Sequence, residues 1–189
     1  MLLRWNSKIN LTAAKTWQQA LYNLLADSFY LADFLKTLPL TPEPRLWDLG
    51  AGAGLPGIPL RILWPCGTYY LVEIREKRAL FMRTVLASLK LPATFVQRGK
   101  AEEFMQSELE KGEDHWPDCI ISRAFKPWPE LLELTRPYLI KRCEKFSPML
   151  LLMLNGDKFE HTPAGWLVLG QKSYTSPSGA RQFVALCLE

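Results

Sequence analysis

From about residue 45 to the end of the chain, short apolar runs alternate with segments whose apolar residues recur every three or four positions. The runs RLWDLG (Arg45–Gly50), TYYLVE (Thr68–Glu73), ATFVQ (Ala93–Gln97), DCIIS (Asp118–Ser122) and MLLLML (Met149–Leu154) read as strands. Between them LPGIPLRILW (Leu55–Trp64), REKRALFMRTVLASLK (Arg75–Lys90), AEEFMQSELEK (Ala101–Lys111) and PELLELTRPYL (Pro129–Leu139) read as helices. In the helix Arg75–Lys90, Phe81, Val85 and Leu89 form the expected buried face. GWLVLGQKSY (Gly165–Tyr174) and ARQFVALCL (Ala180–Leu188) read as two strands joined by a turn containing Ser176–Gly179. Ahead of all this, Thr16–Lys36 reads as one or two helices, with Leu21, Leu24, Leu25, Phe29 and Ala32 at helical spacing. Thr16 and Gln19 form a capping box, and the proline-rich stretch Leu38–Pro44 is a linker.

Strands that are nearly all apolar, alternating with helices, predict an α/β fold: a doubly wound parallel sheet covered on both faces. The last two strands lack an intervening helix and are expected as an antiparallel hairpin at the sheet edge. In such sheets ligands bind beyond the carboxyl ends of the strands. That rule places Glu73, Arg98, Lys100, Arg123 and Asn155 on the functional rim, and Lys141, Arg142 and Lys145 on the opposite one.

Bulk composition narrows the class without deciding it. At 189 residues with 48% hydrophobic positions, the chain is long enough and apolar enough to build a core. A net charge of +4 is compatible with an anionic partner but does not require one. The four cysteines, Cys66, Cys119, Cys143 and Cys187, are widely spaced, with no CxxC pair. Reduced thiols in a cytoplasmic protein are expected, with neither metal site nor disulfide framework. No apolar run reaches the length of a membrane span, and residues 1–11 lack a signal peptide's apolar core.

The chemistry concentrates in DLGAGAGLPGIPL (Asp48–Leu60). GAGLPG (Gly52–Gly57) fits GxGxxG, and Glu73 ends the next strand 19 residues after Gly54. Gly50, Gly52 and Gly54 permit unusual backbone angles and close approach of a ligand, and Glu73 can accept hydrogen bonds from both hydroxyls of a ribose. A diphosphate is a poor fit. It needs free N–H groups at the helix start, where Pro56 and Pro59 have none, and Asp48 would repel it. An acid in that place suits a ligand carrying an amino group and a sulfonium, namely S-adenosyl-L-methionine. A P-loop is excluded because GxxxxGK[ST] does not occur.

Several further motifs recur in order: WNSKINLTA (Trp5–Ala13), ADS (Ala26–Ser28), EKRALFMR (Glu76–Arg83), GKAEEF (Gly99–Phe104), SRAF (Ser122–Phe125) and LNGDK (Leu154–Lys158). Together with the glycine loop they resemble the RsmG family, also called GidB or glucose-inhibited division protein B, from about Trp5 to Asn155. The resemblance implies a Rossmann-like class I methyltransferase fold with a seven-stranded, mostly parallel sheet. It implies methylation of guanine N7 in 16S ribosomal RNA by S-adenosyl-L-methionine, in the cytoplasm, by a monomer acting on the small ribosomal subunit. A helical segment at residues 1–40 is then expected to pack on a cofactor-binding domain at 41–189. By the same resemblance Gly50 and Leu55 contact the cofactor, Ala101 and Glu102 flank its adenine, and Glu73 binds its ribose. Arg123 stands at the methyl-transfer end, and Asn10 and Thr12 lie near the mouth of the site.

The chain departs from the family at four places. An Arg-His pair is replaced by Asn23 and Leu24, the Arg of GRAE by Lys100, and a Lys after the fifth strand by Asn155; the N-terminal helix and the stretch after Asn155 are also short. These positions bear on RNA more than on the cofactor. They motivate two alternatives: a degenerate member that binds S-adenosyl-L-methionine or RNA without methylating ribosomal RNA, and a methyltransferase for a small molecule.

Guanine N7 carries an in-plane lone pair and needs no deprotonation before it attacks a methyl. Consistent with this, His115 and His161 lie in polar loops and read as surface residues. Arg123 is expected to contact a cofactor carboxylate, a phosphate or the guanine edge, the bland alternative being an ion pair with Glu102 or Glu73. Lys100 and Lys126 are candidate phosphate contacts. Cys66, after Pro65, falls on the wrong rim for a nucleophile, and the KRCEK run (Lys141–Lys145) reads as charge at a helix end.

Overall fold

Seven strands form one sheet in the order β3-β2-β1-β4-β5-β7-β6. They are β1 (Arg45–Leu49), β2 (Thr68–Glu73), β3 (Thr94–Arg98), β4 (Cys119–Arg123), β5 (Met149–Asn155), β6 (Trp166–Ser176) and β7 (Gly179–Leu188). This is a computed structural model, and it describes residues 1–141, 145–156, 159–177 and 179–189. Strands β1 to β5 pair in parallel, and β7 enters antiparallel between β5 and β6. The hairpin therefore forms at the sheet edge, as its uninterrupted strand pair predicts. The KRCEK run lies partly outside the described residues, as do the last two residues of LNGDK and Ser178 of the hairpin turn.

The parallel strands are apolar on both faces because helices cover both. Leu46, Leu71, Ile121 and Met153 face a core shared with α1 (Leu2–Ile9), α3 (Ala26–Leu35), α4 (Gly57–Leu63) and α5 (Glu76–Leu89). Trp47, Leu49, Val72, Ile120 and Leu152 face the other core, against α6 (Ala101–Glu110) and α7 (Trp128–Thr135). Trp5 on α1 meets Phe81 on α5 edge to face, with ring centroids 5.6 Å apart. This packs the N-terminal helix onto the sheet's first face.

The stretch Thr16–Lys36 is one helical run broken in register. The Thr16 hydroxyl caps α2 (Trp17–Ala20) by accepting the Gln19 N–H, and the Gln19 amide oxygen accepts the Lys15 N–H. A π-turn over Leu21–Leu25 then leads into α3. The π-turn inserts a residue and rotates everything beyond it. Phe29, expected inside, is therefore 51% exposed, while Asp27 and Ser28 are buried. Leu89 is likewise exposed; Ala79, Phe81 and Met82 form the buried stripe of α5, with Val85 partly buried against the same core.

Candidate functional site

The turn between β1 and α4 is built around its own N–H groups. Ala51 N–H donates to the Val72 carbonyl, Gly52 N–H to the Glu73 carboxylate (2.9 Å), Gly54 N–H to Ala51 O, and Ile58 N–H to Gly54 O. The Ala51, Gly52 and Gly54 N–H groups are thereby used within the fold, which adds to the objection that the two prolines raise against a dinucleotide. Gly50 and Gly54 both hold φ near +71°. A Cβ on Gly54 would stand 2.4 Å from Ile58 Cδ1, so this glycine makes room for the packing of α4. A Cβ on Gly50 would meet Phe125 at 2.6 Å.

Over this loop opens a cleft of about 430 Å3, within the roughly 300–1,000 Å3 range of small-molecule sites. Gly50, Glu73, Lys100, Ala101, Glu102 and Lys126 line it, all named from the sequence. Ile74, Arg75, Arg78, Gly99, Ala124 and Phe125 also line it and were not named as ligand contacts; only their position next to Glu73, Lys100 and Arg123 could have flagged them. Glu73 is 5% exposed. One carboxylate oxygen accepts the Gly52 N–H and the other the Arg75 N–H (2.8 Å), with Arg78 Nη1 at 3.9 Å. Each oxygen keeps a lone pair for a further donor. Lys100 pairs with Glu103 at 3.1 Å, and Lys126 with Glu102 at 3.8 Å.

Several expected residues lie elsewhere. Asp48 is 1% exposed and sealed beneath the loop, where the Tyr69 hydroxyl donates to its carboxylate at 3.1 Å. Strand alternation is the reason: Asp48 points toward the face occupied by α4, beside Gly57. Leu55 packs against that same core. Asn10 ends α1 in the left-handed conformation, and Thr12 is tied into the following turn through Asn6 and Ala14. Arg123 pairs with neither Glu102 nor Glu73. Its Nη2 lies 2.6 Å from Asp27 on α3 and 3.5 Å from the Asn23 carbonyl in the π-turn. Asp27 also accepts the Tyr174 hydroxyl at 2.6 Å, and Ser28 donates to the Pro56 carbonyl at 3.1 Å. The ADS motif thus ties the N-terminal helix to both the SRAF and GLPG motifs.

Burial pushes the Asp48 carboxyl from 3.8 up to about 7. A folded-state value above the unfolded one means that the native state holds the proton more tightly. The associated stability is complete below about pH 4 and is lost as pH rises through about 7, by on the order of 4 kcal/mol. Asp48→Asn, which keeps an acceptor for Tyr69, is therefore expected to melt higher than the parent at pH 8.5 and at the same temperature at pH 3.5. Equal melting temperatures at both pH values would show Asp48 titrating normally.

No histidine lines the cleft: His115 faces Glu108 at 3.3 Å and His161 is exposed. Cys66, Cys119 and Cys187 are free, and no cluster of metal-ligating side chains occurs among the described residues. Nor, among these residues, is any helix long and apolar enough to cross a membrane.

The profile of the GidB family, described as rRNA small subunit methyltransferase G, matches residues 1–165. The chain belongs to this family. A relative from Nitratidesulfovibrio vulgaris, named ribosomal RNA small subunit methyltransferase G, is 45% identical over 98% of this chain and 80% of its own. One of the same name from Lawsonia intracellularis is 42% identical over 98% and 82%. Among solved structures, a putative O-methyltransferase from Klebsiella pneumoniae matches 100% of this chain and 88% of its own at TM-score 0.64 and 16% identity. The putative methyltransferase YhhF from Escherichia coli matches 87% and 85% at TM-score 0.59 and 16% identity. These likenesses establish a class I methyltransferase-type fold for this GidB-family chain.

Proposed function

We propose that this protein transfers a methyl group from S-adenosyl-L-methionine to N7 of a guanine in 16S ribosomal RNA of the small subunit. One observation carries the cofactor: Glu73 is held at the cleft floor by two backbone N–H groups, each oxygen keeping a lone pair for a ribose hydroxyl. Family membership supplies the substrate class. Bound there, S-adenosyl-L-methionine supplies a sulfonium methyl that a guanine N7 lone pair takes without prior deprotonation.

The chain's own residues bind and orient. Glu73 accepts the ribose hydroxyls, Ala101 and Glu102 flank the adenine, and Gly50 lets the ligand lie close to the loop. Asp48, buried beneath, supports the loop through Tyr69, and Leu55 braces it from the core. Arg123 is assigned to the methyl-transfer end, oriented by Asp27. A cleft without histidine fits chemistry that relies on proximity and alignment. Asn10 and Thr12 are assigned to the RNA side by resemblance, Lys100 and Lys126 as phosphate contacts. We further propose a monomer acting in the cytoplasm, with residues 1–40 as a helical layer on a domain at 41–189.

The deciding experiment is radiolabelled methyl transfer to small subunits from cells lacking this protein, with the modified base mapped. Guanine N7 is the expected product; labelling of another atom, or none, would sink the reading. Activity that ignores subunits and salt would point instead to a small-molecule substrate. Lys100→Ala and Lys126→Ala should each flatten the log affinity against log salt slope for RNA by about 0.7–0.9. An unchanged slope would make them solvated surface groups.

A further inference from the structure

A second cavity, of about 170 Å3, opens between the carboxyl ends of β4 and β5 and the start of α7. Ser122, Trp128, Leu131, Leu152, Leu154 and Asn155 form its walls. It shares Ala124 and Lys126 with the cofactor cleft, so the two spaces meet at that loop. Its position follows from strand alternation. Arg123 turns toward α3, and Ser122 turns to the opposite face, beside Leu152 in register.

Ser122 is 2% exposed, and its hydroxyl has no hydrogen-bond partner among the described residues. A native fold rarely leaves a buried hydroxyl unpaired without a role for it. Here it borders a cavity walled mainly by an indole, three leucines, Pro127 and Met153, with Asn155 exposed at the end of β5. Flat apolar walls with two groups that both donate and accept suit a planar heterocycle with a mixed polar edge. The space is well under half the volume of the cofactor cleft. Among the described residues its lining has no carboxylate to hold a cation, and the one cation there, Lys126, is shared with the cleft.

We propose that this cavity receives the target nucleobase, a guanine swung out of its stack. Ser122 and Asn155 read its polar edge, and Trp128 and the leucines cover its faces. N7 is left toward the 124–126 loop, where the two spaces join. Enzymes that modify a base commonly extrude it into such a pocket. The proposal rests on the guanine-methylation reading above and names its substrate subsite. It also gives Asn155, a departure from the family, a direct part in substrate recognition.

The test measures kcat/KM for methyl transfer to unmodified small subunits, together with S-adenosylhomocysteine affinity by calorimetry, for Ser122→Ala, Ser122→Val and Asn155→Ala. Removing the hydroxyl or the amide should lower kcat/KM about tenfold, and Ser122→Val, which also narrows the cavity, about thirtyfold or more. S-adenosylhomocysteine affinity should stay within about twofold of the parent's, as the cofactor cleft is untouched. Both Ser122 variants remove an unpaired buried hydroxyl and should melt no lower than the parent, so a lost activity is not lost folding. If all three variants keep kcat/KM within about threefold, the cavity is not the base site. Joint loss of S-adenosylhomocysteine binding would assign it to the cofactor and overturn the proposal. A parent that transfers no methyl to subunits would overturn the underlying reading, and the proposal with it.

Discussion

Glu73→Gln should lose cofactor affinity almost as completely as Glu73→Ala. Gln is ordinarily a mild replacement, because it keeps the size and one acceptor. Here the two carboxylate oxygens face two donors, the N–H groups of Gly52 and Arg75. A glutamine must point its NH2 at one of them, so one anchor becomes a donor–donor repulsion. The glycine loop then loses its side-chain tether to β2, keeping only the Ala51–Val72 backbone bond, in the same step as the ribose loses its acceptor. Hydrogen bonds to a charged group contribute about 1.5–3 kcal/mol each, so two ribose bonds correspond to roughly a hundredfold or more in Kd. Calorimetry with S-adenosyl-L-methionine reads this directly. Binding by Glu73→Gln within about threefold of the parent would refute the double-anchor argument.

Arg61→Met should produce the largest loss of stability, with the chemistry of the cleft intact in whatever folds. Arg61 is buried on α4, and its guanidinium gathers carbonyls that no strand or helix satisfies. Nη2 donates to Gly67 O at 2.9 Å and Pro65 O at 3.2 Å, Nη1 to Cys66 O, and Nε to the Thr94 hydroxyl at 3.1 Å. Methionine fills much of the volume but donates nothing, so the turn leading into β2 keeps its carbonyls and loses their partner. Each orphaned buried acceptor costs about 1–3 kcal/mol. A total of about 3–5 kcal/mol lowers Tm by roughly 6–20 °C for a domain of this size. A melting temperature within about 2 °C of the parent's would mean that the turn relaxes to water at little cost.

Neither prediction could be written from the sequence. Arg61 sits inside an apolar helical pattern as one unremarked charge, and its acceptors are backbone groups that carry no sequence signal. Glu73 was legible as a candidate ribose acid because it ends the strand after the glycine loop. That its carboxylate also holds that loop depends on the parallel register of β1 and β2. Arg123 makes the same point: it was expected to meet a cofactor carboxylate, a phosphate or the guanine edge, with Glu102 or Glu73 as the bland alternative, and the protein partner it takes is Asp27. The π-turn over Leu21–Leu25 brings that aspartate inward and puts Phe29 outside.

The sequence by itself determined the order and kind of the elements, the rim on which the cleft opens, and the family. Apolar period, glycine placement and motif order are local properties, and burial on two faces of a sheet enforces them. Only the tertiary structure decided which side each side chain takes and what it meets there. Asp48 falls under the loop, Arg123 onto α3 and Ser122 into a cavity of its own. Those outcomes turn on strand alternation and on contacts across a hundred residues or more, as between Arg123 and Asn23, and a one-residue rotation of a strand or helix changes them all.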